Sequence, residues 1–278
     1  MDITYSASTL CDHLRANTPI IHCITNSVTI NDCANAALAV GASPIMADAP
    51  EEADAVTAHA QALVLNIGQL CPRKLQAMLC SGQRANQMGI PVVLDPVGVG
   101  VSPMRTAGVQ QILQTVHISI LRCNRSEAAC IYGIHTTGKG IDSDQTLSVS
   151  DGAALTSALA ARYHCTVAMT GAVDLISDSI QTFELHGGHQ MLSRVTGMGC
   201  VSSVLCAAYA AVSQEDYLTA AIAGLGSIAA AGQLAYQRAG IQGTGSFHIA
   251  VIDALSQLNT DTLQQSLLVK EVSHADIF

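Results

Sequence analysis

Ala62-Leu63-Val64-Leu65-Asn66-Ile67-Gly68 is an apolar run closed by a glycine, and Pro91-Val92-Val93-Leu94-Asp95-Pro96 is a second one closed by a carboxylate. Between them Pro72 to Met88 reads as a helix with proline in its first turn. Two short apolar runs joined through a helix make a βαβ unit, and βαβ units build a parallel sheet with helices on its faces.

The same alternation runs outward in both directions. Towards the N-terminus, Ser43-Pro44-Ile45-Met46 and Ile20-Ile21-His22-Cys23-Ile24-Thr25 are strands. Asn26-Ser27 caps a helix that ends near Val40 with Gly41 as its stop, and Pro50-Glu51-Glu52 opens another. A first helix covers Ser6 to Asn17, with Ser6 or Ser8 as its cap. Towards the C-terminus, Pro103 to Thr115 is helical, Ile118 to Leu121 is a strand, and Asn124-Arg125-Ser126-Glu127 starts the next helix. A long loop, Gly133 to Ser150, carries glycines at 133, 138 and 140, and Asp151 caps a helix to Arg162. Cys165 to Gly171 is a strand, and Asp174 to Leu185 is a hairpin that makes the sheet mixed at that edge. Helices near 201–212, 215–238 and 247–258 complete the chain, and the tail after Leu267 is expected to fray. No repeat or linker interrupts this order. The expectation is one α/β domain over 1–278, with a mostly parallel central sheet and helices on both faces.

Composition narrows the function. Of 278 residues, 49% are hydrophobic and only 12% charged, so few charges remain to cover a surface and the core is expected to continue into a subunit interface. A net charge of −9 with 12 Lys and Arg, and no basic run, excludes a nucleic-acid partner. The ten cysteines contain no Cys-x-x-Cys pair, which fits reduced, buried thiols in the cytoplasm. Met1 to Ala16 is no signal peptide. Leu218 to Ala235 is rich in Ala and Gly and includes Ser227 and Gln233, which suits a buried helix better than a membrane span.

The chemistry gathers at one edge of the expected sheet. Thr25-Asn26, Asn66 to Gly68, Asp95, Asn124 to Glu127 and Thr170-Gly171 all close strands, and ligands of open parallel sheets bind at such ends. Val195-Thr196-Gly197-Met198-Gly199-Cys200 is a glycine turn feeding the apolar helix after it. Its backbone N–H groups at Gly197, Met198, Gly199 and Cys200, with the helix dipole, make an anion site suited to phosphate. Cys200 is then either a nucleophilic or basic group, its thiol pKa lowered by the helix N-terminus, or a buried packing residue. Asp95 is a metal or hydroxyl ligand or an Asp-Pro turn; Glu127 is a Mg²⁺ ligand acting through water or half of a capping box with Asn124. No P-loop, Gly-x-Gly-x-x-Gly fingerprint or nucleophile elbow is present. His22 and His186 are read as strand-end or surface residues rather than general bases.

Taken in order, the set resembles a known family. His22-Cys23-Ile24-Thr25-Asn26, Gly41-Ala42-Ser43-Pro44-x-Met46, Asp95-Pro96-Val97-x-Val99-Gly100, Arg122-x-Asn124-x-x-Glu127, Val167 to Gly171, Thr196-Gly197-x-Gly199-Cys200 and Gly243-x-Gly245-Ser246-Phe247 look like the hydroxyethylthiazole kinases of thiamine salvage, members of the ribokinase-like superfamily. Most ribokinase-like kinases carry aspartate where this chain has Cys200, and Cys123-Asn124-Arg125 stands where the family has Gly-Asn-Ala. The resemblance implies a ribokinase-like fold and ATP-dependent, Mg²⁺-assisted phosphorylation of the primary alcohol of 5-(2-hydroxyethyl)-4-methylthiazole. It implies that Met46 and Gly197 contact the thiazole, with Asn26, Gly68 and Asp95 as further pocket residues. It places Arg122, Thr170 and Asn124 against ATP, Glu127 and Asp95 at the metal, and Cys200 at the reacting alcohol. It also implies a homotrimer with sites at subunit interfaces.

Three other readings compete. A dehydratase of hydrated NAD(P)H shares the fold but expects aspartate at position 200, and a hydroxymethylpyrimidine kinase also expects a different residue there. A non-catalytic nucleotide module has no need of Glu127, Asp95 and the glycine turn together.

Overall fold

Apolar residues along the central strands point alternately to opposite sides of one sheet, with period two. Val64, Val93, Ile120 and Ala168 point into one core and Leu63, Leu65, Leu94, Leu121 and Val167 into the other. The computed structural model describes residues 2–134 and 149–273. Its sheet has nine strands in the order β2-β1-β3-β4-β5-β6-β7-β8-β9. In chain order these are β1 (Ile20–Ile24), β2 (Ser43–Ile45), β3 (Ala62–Asn66), β4 (Val92–Asp95), β5 (Ile120–Asn124), β6 (Thr166–Thr170), β7 (Asp174–Ser177), β8 (Thr182–His186) and β9 (Leu268–Glu271). β2 to β6 pair in parallel through β1, β3, β4 and β5, and β6 to β9 pair antiparallel, so the sheet is mixed at the expected edge.

Eleven α-helices are described: α1 (Ile3–Asn17), α2 (Ile30–Val40), α3 (Ala53–Thr57), α4 (Pro72–Met88), α5 (Pro103–Thr115), α6 (Arg125–Tyr132), α7 (Val149–Tyr163), α8 (Met198–Ala210), α9 (Tyr217–Ala239), α10 (Thr244–Gln257) and α11 (Thr260–Ser266). The core beneath α8 and α9 takes in α1, α2 and α10, and the other core takes in α4 to α7. α8 is buried along nearly its whole length, as its mostly apolar sequence requires. The helix and turn at Tyr217–Gln242 are long and apolar enough to cross a membrane, but 83% of the apolar window is buried inside the protein. Its buried Ser227 has an internal partner: it bonds the Tyr209 hydroxyl at 2.8 Å, and that hydroxyl lies 3.4 Å from Cys11 Sγ.

Several boundaries differ from expectation. α1 begins at Ile3 because Asp2, not Ser6 or Ser8, accepts the Thr4 N–H at 3.0 Å. Ser8 is a buried residue inside the helix. α2 begins at Ile30 with Thr29 as its cap, since Asn26 spends its carbonyl oxygen on the turn before it. β5 covers 120–124 rather than 118–121. α8 begins at Met198, three residues early, so that the glycine turn itself is the helix start. The tail does not fray at Leu267: β9 pairs with β8, from His186–Leu268 to Phe183–Glu271. The expected loop from Gly133 to Ser150 meets helices at both ends, with Gly133 capping α6 at φ +97° and α7 starting at Val149. Gly138 and Gly140 lie outside the described residues.

Candidate active site

Four strand ends put a polar side chain on the α8 side of the sheet. The alternation that sends Val64, Val93, Ile120 and Ala168 into the core beneath α8 sends the residues two further on, Asn66, Asp95, Arg122 and Thr170, to the same face. Asn66 and Asp95 are register partners on β3 and β4. Arg122 comes one residue after the Leu94–Leu121 pair on β5, and Thr170 faces Asn124 from β6. Adjacent strands thus line up a row of polar groups under the N-terminus of α8.

The row is closely bonded. Asp95 is fully buried, and its Oδ2 accepts Asn66 Nδ2 at 2.8 Å and Ser203 Oγ at 2.7 Å. Arg122 Nη1 lies 3.7 Å from Asp95 Oδ1, and Nη2 donates to Thr170 Oγ1 at 2.8 Å. Two buried atoms have no hydrogen-bond partner here, Asp95 Oδ1 and Arg122 Nε. Asn66 Oδ1 accepts Asn26 Nδ2 and the Gly68 N–H, both at 3.0 Å, and Asn26 Nδ2 also donates to Cys200 Sγ at 3.4 Å. A single network therefore joins Asn26, Gly68, Asp95, Arg122, Thr170 and Cys200 to Asn66, placed from sequence at the ligand end of the sheet without a role, and to Ser203, which the sequence does not single out.

The glycine turn sits over this network. Gly197 caps α8 at φ +90°, a left-handed conformation that L side chains rarely adopt, and an added Cβ would lie 2.8 Å from Thr29 Cγ2. At Gly199 an added Cβ would lie 2.9 Å from Arg122 Nη1, so the guanidinium packs against bare backbone. The cap offers no side chain to the first N–H groups of α8, and helix geometry gives those groups no internal acceptor. An anion placed there meets the helix N-terminus from one side and Arg122 from the other.

Charge in the site follows burial. Desolvation pushes the Asp95 carboxyl up, against Arg122, Ser203 and Asn66, which pull it down. Burial also pushes Arg122 down, but Asp95 and Glu127 outweigh it and hold the guanidinium charged. Cys200 corrects an expectation. Desolvation first, and the neighbouring Asp95 second, push its thiol up rather than down, although Thr29, Asn66 and Asn26 oppose them.

Asn124 and Glu127 form a reciprocal cap at the start of α6. Asn124 Oδ1 accepts the Glu127 N–H at 2.9 Å, and Glu127 Oε2 accepts the Asn124 N–H at 2.9 Å. Glu127 Oε1 also accepts the Gly98 N–H at 2.8 Å, which ties the turn after β4 to β5. Burial, then Asp95, pushes this carboxyl up. Among the described residues no three His, Cys, Asp or Glu side chains cluster closely enough to hold a metal by themselves.

Met46 stands apart. It is half-buried just past the edge strand β2, on the same sheet end but without a bond into the network. His22, read as a strand-end or surface residue, is instead fully buried in β1; its Nε2 meets the Ala47 carbonyl at 2.7 Å and its Nδ1 meets Thr57 Oγ1 at 2.9 Å. It thereby fixes the turn that carries Met46. His186 bonds Glu184 at the opposite side of the sheet.

Asp174, which begins β7, accepts the Gly171 N–H at 2.9 Å and is pushed up to about 6 by desolvation. A carboxyl raised in the folded state stabilises the fold below its ordinary pKa, and that contribution is lost as pH rises through about 6. Asp174→Asn keeps the acceptor oxygen and removes the titration. The variant should gain stability relative to wild type between pH 4.5 and 7.5 in thermal melts; a gap between the two that stays constant across this range would exclude the assignment.

Comparison with known proteins adds independent findings. A family model described as the hydroxyethylthiazole kinase family matches residues 11–261. A hydroxyethylthiazole kinase of Ruminiclostridium cellulolyticum is 43% identical over 272 residues, covering 98% of this chain and 99% of that protein. One from Methanocella arvoryzae is 38% identical over 265 residues, covering 95% and 98%. The solved structure of hydroxyethylthiazole kinase from Pyrococcus horikoshii superposes with a TM-score of 0.86 at 35% identity, covering 96% of this chain and 99% of that one. Pyridoxal kinase from Staphylococcus aureus in complex with ADP shares the fold, with a TM-score of 0.60 at 12% identity over 77% of this chain and 87% of that one.

Proposed function

The chain belongs to the hydroxyethylthiazole kinase family and phosphorylates the primary alcohol of its thiazole substrate at the expense of ATP; from that premise we propose that Cys200, Arg122 and the N-terminus of α8 carry the transfer. One observation supports this most: a helix N-terminus, a buried arginine and a thiol converge on one polar network at the end of a parallel sheet. Phosphoryl transfer depends mainly on positioning and on neutralising charge. In this reading the N–H groups of Gly197, Met198, Gly199 and Cys200 receive the transferring phosphoryl oxygens. Arg122 and Thr170, with Asn124 beside them, hold the phosphates of ATP. Asn26, Gly68, Gly197 and Met46 hold the thiazole, and Cys200 accepts the proton of the attacking alcohol. A coupled assay with ATP against the thiazole alcohol, hydroxymethylpyrimidine and hydrated NADH tests it. Turnover confined to the thiazole alcohol is expected, and preferred turnover of either other compound would overturn the assignment.

Mg²⁺ fits the residues at hand. Asp95 Oδ1 is buried without a hydrogen-bond partner, and each Glu127 oxygen spends only one lone pair on a backbone N–H. Asp95 and Glu127 would hold the ion through water together with the phosphates, where it would neutralise charge on ATP. Glu127→Gln keeps the shape and removes the charge. Turnover should fall at least about tenfold, ~1.4 kcal/mol of transition-state stabilisation, with a higher Mg²⁺ requirement. Wild-type turnover across a Mg²⁺ titration would leave Glu127 as a cap alone.

We place the enzyme in the cytoplasm as a homotrimer with Met46 near a subunit boundary. The ten free thiols support the first. The second is supported by Val28, Ile30, Leu38, Ile45 and Ile249, exposed apolar side chains on α2, β2, α10 and the turn before α2. Light scattering at micromolar concentration should give three times the 28.8 kDa of one chain; a single-chain mass with full activity would reject the shared site.

A further inference from the structure

The two amides between Asp95 and Cys200 are each locked in one orientation. Asn66 donates from Nδ2 to the carboxylate and accepts at Oδ1 from the Gly68 N–H and from Asn26. A flipped Asn66 would set oxygen against oxygen at Asp95 and donor against donor at Gly68. Asn26 is held in the same way, because its Oδ1 accepts the Val28 and Thr29 N–H groups, both at 3.2 Å. Its amide protons are therefore directed at Asn66 Oδ1 and at Cys200 Sγ.

We propose that Asn66 is a positioning residue for the reaction, which through Asn26 fixes the sulfur of Cys200 as a hydrogen-bond acceptor. A sulfur that faces an N–H donor spends no proton on the protein in that direction. As a thiolate it gains a donor, and as a thiol it keeps its own proton free for another partner. The amide pair thus favours the state of Cys200 able to take a proton from an alcohol. Other groups acting on this sulfur are Asp95 on β4, Arg122 on β5 and Cys33 on α2, and the Thr29 hydroxyl and the Asn66 amide itself add to its donors. Asn66 differs from the others in setting direction as well as charge. Without its oxygen the Asn26 amide is held from one side only, by the Val28 and Thr29 N–H groups.

The kinetic part of the test rests on the reading of Cys200 as a base; the chemical part does not. Alkylation of Cys200 by iodoacetamide, followed by peptide mass spectrometry against pH, reports the thiolate fraction of that residue directly. Asn66→Ala should move the curve to higher pH by about one unit, about tenfold less thiolate at a given pH, and move the acidic limb of kcat with it. Ser203→Ala removes a donor from the same Asp95 oxygen but has no link to Asn26, and should show no upward shift. If Asn66→Ala does not fold, Asn66→Ser retains an oxygen for Asn26 and should give a smaller shift in the same direction. An unmoved Cys200 curve in a folded Asn66 variant, or an equal upward shift in Ser203→Ala, would overturn the proposal. A shifted alkylation curve with an unmoved kcat limb would keep the link from Asn66 through Asn26 to the sulfur but overturn its role in the reaction, and remove Cys200 as the base.

Discussion

Arg122→Met should lose about a thousandfold or more in kcat, the range seen when an arginine is withdrawn from a phosphoryl-transfer site. The side chain is tied to Thr170, packs on the backbone of Gly199 and faces Asp95, so its position is fixed from three sides. Stability should fall as well. Asp95 is fully buried, its Oδ2 is shared by Asn66 and Ser203, and its Oδ1 faces the guanidinium. Removing one partner of a buried pair costs about 3–5 kcal/mol because the remaining charge is left uncompensated. That cost has a definite pH dependence. Desolvation already raises the Asp95 carboxyl, and without Arg122 it rises further. The raised group takes up a proton in the folded state, so the penalty is absent below the ordinary carboxyl range and accumulates as pH increases. Denaturant melts should therefore show a larger gap between wild type and Arg122→Met at pH 8 than at pH 5. Arg122→Lys restores a charge without the planar fork, and should recover more of the stability than of the rate. A kcat for Arg122→Met within tenfold of wild type would remove Arg122 from the reacting phosphates.

The parts of the fold legible in the sequence are those whose ends carry their own chemistry. α4 and α5 were readable at both ends because proline opens each and a strand run follows closely. β5 was not. Ile118-Ser119-Ile120-Leu121 looks like the strand, whereas Arg122-Cys123-Asn124 looks like the loop after it. The strand continues to Asn124 because Arg122, a residue that ordinarily avoids a buried position, finds Asp95 on the adjacent strand. Local pattern cannot supply that partner. β9 failed for a related reason. Leu268-Val269-Lys270-Glu271 has no burial pattern to mark it, and its extended form comes from pairing with β8.

The site divides along the same line. Asp95, Asn26, Gly68 and Thr170 close strands, so a parallel sheet gathers them without further information, whereas Arg122, inside β5, enters only through the family resemblance. Ser203 lies inside an apolar helix, where a small hydroxyl reads as packing. Its signal is spacing alone: three residues after Cys200, it falls near the same face of α8 and reaches Asp95. Glu127 remained double in the sequence and is bonded in the structure as a cap, with lone pairs to spare. The direction of the Cys200 shift differs from expectation because a helix N-terminus is weighed there without the burial of the thiol itself and, second, the buried Asp95 carboxylate near it.

Burial of the thiol, with Asp95 beside it, sets the expected behaviour of the Cys200 variants. With the thiol held above its ordinary value, little thiolate exists at neutral pH. If the thiolate is the base, kcat should rise with pH through the thiol's titration. Cys200→Ala removes this limb and leaves the N–H groups of α8 and Arg122 in place. Those groups act whatever residue stands at 200, and a loose transition state makes limited demands on the attacking oxygen. Cys200→Ala and Cys200→Ser should therefore slow turnover roughly ten- to a thousandfold without abolishing it, within or below the range for loss of a general base. Cys200→Asp should retain more activity than Cys200→Ala. Its carboxylate is already ionised at neutral pH where the thiol is not, so its acidic limb should also lie at lower pH than that of wild type. Asp95 works against that ionisation, and the Asn26 amide together with Arg122 works for it. The measurement is kcat against pH for wild type and the three variants, with ATP affinity as a check on folding. Wild-type turnover in Cys200→Ala would end the base assignment and leave a packing thiol. An aspartate variant slower than the alanine one would mean that the site cannot hold another anion beside Asp95 and the phosphates.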